Sequence, residues 1–251
     1  MCKEVIKMKI GIIGAGNIGA TLARKLAACG HEVKLANSRG PQSIQALANE
    51  IGVRAVTREE AVSEVDAVIL SVPFAKYPDL RQTLSDASEK AVVIDTSNYY
   101  PGRDGAIEDI DSGKPESVWV SEQIGRPVVK AWNAVLAATL ADKGQPAGSS
   151  TRIAIPVAGD DTEAEALAQG LVEDTGFTAL AAGSLEDSWR QQPGTPAYCT
   201  ELTLPELKLA LCAADKIKAP HNRDALLACF MAPGSQFTHE QIIAANRAMT
   251  A

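Results

Sequence analysis

Gly14, Gly16 and Gly19 stand in a G-x-G-x-x-G spacing between the apolar run Ile10 to Ile13 and a stretch with Ile18, Leu22 and Leu26 on one helical stripe. That spacing suits a diphosphate. Gly14 permits a tight turn, Gly16 lets the backbone approach a pyrophosphate, and Gly19 lets a helix pack close on a strand. The N–H groups of Asn17 and Ile18 would then point at the phosphates from a helix N-terminus. A second group, Asn37-Ser38-Arg39, follows at the end of the next apolar run. A dinucleotide site that prefers NAD has an acid there to grip the adenine ribose, and no carboxylate occurs before Glu50. The chemistry of this corner favours NADP(H): Arg39 can lie along a 2′-phosphate, Ser38 can donate a hydroxyl, and Ser43 is a third candidate.

These groups require a strand, a turn, a helix and a second strand. Met8 to Arg39 supplies them, with Cys29-Gly30 closing the helix and His31 to Ala36 reading as the second strand. Helix and strand signals then alternate. Pro41 opens a helix that Gly52 stops, Val53 to Val56 is a third strand, Glu59 to Val65 a helical link, and Ala67 to Leu70 a strand buried on both faces. It empties into Ser71-Val72-Pro73, at the strand edge that faces the ligand in open α/β sheets. A helix is expected from Tyr77 to Ala87. The strand Ala91 to Ile94 follows, ending in the polar cluster Asp95 to Tyr100. Asp104 to Pro115 reads as an exposed loop, Ser117 to Ile124 as a short helix, and Pro127 to Lys130 as a sixth strand leading to Ala131-Trp132-Asn133.

Gly144 to Ser150 has the composition of a linker. Beyond it, Thr151 to Leu180 forms a further strand-helix-strand unit that could extend the sheet. A loop containing Trp189, Arg190 and Tyr198 comes next, then helices near Leu204 to Lys218, His221 to Met231 and His239 to Met249. The pattern predicts an α/β, Rossmann-type, doubly wound and mostly parallel sheet with a small helical C-terminal region. Residues 1–181 form the nucleotide-binding domain in this reading, and 182–251 a loop plus helices that serve as substrate lid, dimer contact or both.

The formal net charge of −7 and the lack of any Lys/Arg run argue against a nucleic-acid partner. No apolar run reaches the ~20 residues needed to span a bilayer. Residues 1–7 carry Lys3 and Lys7 but no apolar region of the secretory kind, so a cytoplasmic protein without membrane association is expected. The five cysteines, Cys2, Cys29, Cys199, Cys212 and Cys229, are far apart, and the histidines His31, His221 and His239 are scattered, so neither a disulfide framework nor a metal centre is expected.

The set G-I-I-G-A-G-N-I-G, N-S-R, S-V-P-F, K-A-W-N, V-A-G-D-D and D-T-G-F resembles the NADP-dependent oxidoreductases of the deazaflavin-coenzyme reductase family. Their relatives are the N-terminal domains of 6-phosphogluconate and β-hydroxyacid dehydrogenases and the cytosolic domain of transmembrane ferric reductases. The similarity runs from about Met8 to Leu185. It implies a phosphate loop at Ala15 to Ile18, a 2′-phosphate site at Ser38 and Arg39, and nicotinamide contacts near Val72, Pro73, Ser97 and Asn133. The implied reaction is hydride exchange between NADPH and a flat deazaflavin or flavin. From Ser188 onward the chain departs from the family's pattern, which leaves the acceptor open.

Hydride transfer to a conjugated ring needs chiefly closeness and alignment of the two carbons, so a dedicated acid is not required. Three catalytic candidates remain. Lys130 with Asn133 echoes the Lys and Asn pair of the β-hydroxyacid dehydrogenases, although Lys130 at the end of an apolar strand would not share a helix face with Asn133 and a structural role is its other reading, and Trp132 could stack on a planar substrate or pack in the core. Trp189, Arg190 and Tyr198 are substrate candidates in the proline-rich loop, with loop packing or a dimer contact as the other explanation. The overall expectation is a homodimeric oxidoreductase acting on a small-molecule hydride acceptor. An NADPH sensor without turnover, or a reductase of a small carbonyl, imine or quinone, are the alternatives.

Overall fold

The computed structural model describes residues 6–250. Cys2 and most of the segment read for a secretory leader lie outside the described residues. The chain alternates strands and helices: β1 (Lys9–Ile13), α1 (Asn17–Ala28), β2 (Glu32–Ala36), α2 (Gln45–Ile51), β3 (Arg54–Ala55), α3 (Arg58–Val62), β4 (Ala67–Leu70), α4 (Arg81–Ser85) and β5 (Val92–Asp95). It continues with α5 (Pro101–Asp104), α6 (Glu108–Asp111), α7 (Glu116–Ile124), β6 (Val129–Lys130), α8 (Ala137–Asp142), β7 (Ala154–Val157), α9 (Thr162–Asp174) and β8 (Thr178–Ala181). Three helices close it: α10 (Leu204–Ala213), α11 (Lys218–Phe230) and α12 (His239–Thr250).

The first six strands form one parallel sheet in the order β3-β2-β1-β4-β5-β6. Alternation along each strand sends side chains to two cores, as a doubly wound sheet requires. Ile10, Ile12, Leu35 and Ile69 join α1 and α9 on one face, while Ile13, Val68, Leu70 and Val93 join the aromatic group of Phe74, Tyr77, Tyr99 and Trp119 on the other. Strand order reverses between β1 and β4, and β1 delivers the chain to Gly14 at that point. Strands β7 and β8 pair with each other in parallel, and β7 leads to Ala158, which makes one antiparallel bridge with Lys130 of β6.

Several segments differ from expectation. The helix expected from Tyr77 to Ala87 is broken: short 3₁₀ turns at Phe74–Lys76 and Pro78–Leu80 precede α4, because Pro78 supplies no N–H to continue a helix. The segment from Asp104 to Pro115 holds α6 and is not simply a loop. The segment expected as a linker, Gly144 to Ser150, is mostly exposed and is tied down where the Gln145 N–H donates to the Gly176 carbonyl at 2.9 Å. Helix α8 was not expected, since its six residues are too few for a periodic signal.

Candidate functional site

Two pockets lie along the carboxyl ends of the strands and share Gly16, Ser71, Val72 and Pro73. The first, of about 560 Å³, is lined by Gly14, Ala15, Asn37, Ser38 and Arg39, with Arg58 and Lys76 opposite. The second, of about 490 Å³, is lined by Asn17, Ile18, Ser97, Asn98, Tyr100, Arg103, Asn133, Tyr198 and Cys199 among others. Together they make one trough across the switch point of the sheet.

The glycines explain how the trough is shaped. At Gly14 (φ 117°) a Cβ would come within 2.0 Å of the Ser71 carbonyl oxygen, and at Gly19 within 1.9 Å of the Gly14 carbonyl oxygen. Both are therefore fixed by close backbone approach. A Cβ on Gly16 would meet nothing within 4 Å, so this glycine opens space on the ligand side. Helix α1 begins there with no side-chain cap and no acid in its first turn, leaving its N-terminal N–H groups to an anion. An open cradle over an uncapped helix start fits a dinucleotide diphosphate.

The corner after β2 is built by Asn37. Its amide oxygen accepts from the Arg39 N–H at 3.1 Å and from the Ser43 hydroxyl at 3.1 Å, while its amide nitrogen donates to Ser43 Oγ at 2.8 Å. The Ser43 hydroxyl hydrogen has the Gly40 carbonyl, at 2.7 Å, as its nearer alternative acceptor, and Ser43 braces the loop without lining the pocket. The Arg39 guanidinium is exposed and makes no ion pair among the described residues. Arg58, at the start of α3, reaches the same pocket and is likewise without an acidic partner among them. Its place in the pocket was not legible in the sequence, because Arg58 is brought there by the pairing of β3 with β2, which the spacing does not reveal.

The second pocket rests on a buried polar floor. Asp95 has no exposure; its carboxylate accepts from the hydroxyls of Tyr77 (2.5 Å), Ser97 (2.6 Å) and Ser117 (2.6 Å), from the Ser97 N–H (2.9 Å) and from Lys130 Nζ (3.2 Å). Burial alone would raise its pKa, but the Lys130 charge and these hydroxyls outweigh burial and hold it below the ordinary carboxylate range. Lys130 is itself fully buried and donates to the Ser97 carbonyl at 2.8 Å. These contacts fit a structural cation under the second pocket. Glu116 lies 3.6 Å from Lys130, and burial pushes its pKa up to about 7 despite that neighbour.

Trp132 borders the second pocket but is 1% exposed; its indole N–H donates to Thr175 at 3.3 Å, and it packs with the core that holds Leu140 and Leu171, which fits the core-packing reading of this residue. The Asn133 side chain, which also lines the second pocket, donates to Asn98 Oδ1 (3.0 Å) and the Gln191 carbonyl (2.8 Å) and accepts from Gln191 (2.9 Å), so it braces that wall. Trp189 and Arg190 lie outside the second pocket. The Arg190 guanidinium covers the Trp189 ring at 4.6 Å and donates to the Leu211 carbonyl, so the pair ties the loop to α10. Of the expected substrate residues, Tyr198 lines the second pocket, its hydroxyl 2.9 Å from that of Tyr100.

Residues 9–99 match the model of the family described as NADP oxidoreductase, coenzyme F420-dependent. The chain belongs to this family. The Escherichia coli (strain K12) protein YjhV is 40% identical to it over 104 residues, which is 41% of this chain and 76% of that protein. Among solved structures, the hypothetical protein SMa0349 from Sinorhizobium meliloti superposes with a TM-score of 0.67 and 32% identity, covering 78% of this chain and 95% of that one. A protein from Arthrobacter sp. FB24, assigned as an F420-dependent NADP-reductase, shares the fold with a TM-score of 0.57 and 21% identity, over 71% of this chain and 86% of its own. This member of the family is accordingly an oxidoreductase with a nicotinamide cofactor on a Rossmann-type sheet. Among the described residues no helix is long and apolar enough to cross a membrane.

Proposed function

We propose that the chain passes hydride between NADP(H) and a planar acceptor such as a deazaflavin or flavin, the cofactor lying along the trough and the acceptor filling the second pocket. The observation that carries this reading is the continuity of the two pockets through Gly16, Ser71, Val72 and Pro73. The diphosphate would sit on the open face of Gly16 at the start of α1, and the 2′-phosphate between Ser38, Arg39 and Arg58. Val72 and Pro73 would flank the nicotinamide near Ser97 and Asn133. The cofactor supplies the hydride; the protein holds its two ends and shields the space where the acceptor must lie.

Reduction of a small carbonyl, imine or quinone is the second reading, favoured by the polar wall of Asn98, Tyr100 and Tyr198 where a broad aromatic platform was expected. A sensor without turnover is disfavoured by that same accessible second pocket. We further propose residues 182–251 as the lid over the acceptor, since Tyr198 and Cys199 come from it, and a cytoplasmic homodimer as the working form. The test is loss of dihydronicotinamide absorbance when NADPH meets a panel of deazaflavin, FMN, menadione and a cyclic imine. Turnover with at least one acceptor supports the reading, and tight NADPH binding with no turnover on any of them overturns it.

A further inference from the structure

Tyr100 and Tyr198 both line the second pocket and meet through their hydroxyls at 2.9 Å, across 98 residues of chain. Each hydroxyl carries one hydrogen, and neither has another side-chain or backbone oxygen as partner among the described residues. Two hydroxyls that share one hydrogen bond keep one hydrogen free: where Tyr198 donates to Tyr100, the free hydrogen is the phenolic hydrogen of Tyr100. An acceptor with an oxygen or nitrogen lone pair beside Tyr100 selects that arrangement. The Arg103 guanidinium, 5.1 Å from the Tyr100 ring centre, braces that ring from the solvent side.

Building on the proposed hydride transfer, we infer that Tyr100 is a catalytic residue whose hydroxyl donates a hydrogen bond to the oxygen or nitrogen of the acceptor on which the electron pair settles, with Tyr198 as a positioning residue behind it. The substrate class follows from this: a compound whose reducible carbon is joined to, or conjugated with, a C=O or C=N group. Hydride and its two electrons form the new C–H bond, the π bond of the acceptor breaks, and its electron pair moves to the heteroatom. Tyr100 stabilises the charge as it develops, and water supplies the proton that neutralises it. Burial raises the pKa of both phenols, so both keep their hydrogens at neutral pH. They are donors throughout the reaction.

The experiment compares wild type with Tyr100→Phe and Tyr198→Phe. NADPH affinity by calorimetry is expected to agree within about twofold in all three, which also reports intact folding; failure of wild type to bind NADPH would remove the function reading and this inference with it. With the best acceptor of the deazaflavin, FMN, menadione and imine panel, Tyr100→Phe is expected to lower kcat about 100-fold, the loss that follows removal of one donor to a developing anion. Tyr198→Phe is expected to lower kcat about tenfold with KM unchanged, as loss of alignment alone would. A readout without turnover uses the same acceptor on protein saturated with NADP⁺, where no hydride can move, and Tyr100→Phe is expected to bind it at least threefold more weakly. A kcat for Tyr100→Phe within threefold of wild type, or equal binding of the acceptor in the NADP⁺ form, overturns the assignment.

Discussion

Substitution of the two guanidiniums in the first pocket gives the sharpest measure of cofactor choice. Arg39 and Arg58 line the corner beside Ser38, and neither is committed to an acid among the described residues. Their charge is therefore available to a 2′-phosphate, and removing either side chain breaks no internal ion pair. A charge-assisted hydrogen bond contributes about 1.5–3 kcal/mol, and exposure places Arg39 at the lower end. Arg39→Ala should then weaken NADPH by about tenfold, since about 1.4 kcal/mol is one decade of affinity. Arg58 is less exposed and should cost a little more, about 10- to 50-fold. Because both would act on one phosphate, the double variant should fall short of the product, at about 100-fold. NADH carries no 2′-phosphate, so its affinity should stay within about twofold in every variant. Calorimetric titration of each protein with both cofactors provides the comparison. Equal losses for NADPH and NADH, or an undiminished NADPH preference in the double variant, would refute the assignment of this corner.

Other expectations follow from single residues. Gly16→Ala should leave thermal stability nearly unchanged, since its Cβ meets nothing, yet weaken NADPH at least tenfold by occupying the diphosphate's approach, whereas Gly19→Ala should destabilise the fold itself through its clash with the Gly14 carbonyl; parallel melting and titration curves separate the two. Trp132→Ala should lower unfolding free energy by about 3–5 kcal/mol in urea titrations, as for any large core side chain, a loss that a surface stacking residue would not produce. Glu116 has a folded pKa of about 7 against an ordinary 4.5, so the folded state holds the extra proton and stability should fall as pH rises from about 4.5 to 7, by an amount on the order of 3 kcal/mol. In Glu116→Gln that slope should be much reduced, as read from urea midpoints across the same pH range.

The lining of the first pocket was legible because it is local. Gly14, Gly16, Gly19, Asn37, Ser38 and Arg39 lie within one strand-helix-strand unit, and their spacing carries its own geometry. Arg58 was not legible, since only strand pairing brings it to Arg39. The second pocket depends on contacts across long stretches of chain, such as Tyr100 with Tyr198 and Asn133 with Gln191, which no spacing rule encodes. Trp132 illustrates the difficulty from the other side: an indole at a strand's carboxyl end reads equally well as platform or core, and its left-handed backbone (φ 57°), invisible in sequence, accompanies the placement of the ring in the core. The buried Lys130 and Asp95 pair was likewise hidden, because each alone looks like a polar residue at a strand end. Pro78, by contrast, could have been read as a helix break, and the broken segment after Phe74 follows from it.

The Asp95 knot ties the ends of β5 and β6 together with five short contacts and no access to water. One rim of the second pocket is therefore rigid and stands on the sheet that also carries the first pocket, while Tyr198 is supplied by a separate run of chain joined to it through a few amide and phenol bonds. Substitutions in that run can reshape the second pocket and leave the first undisturbed.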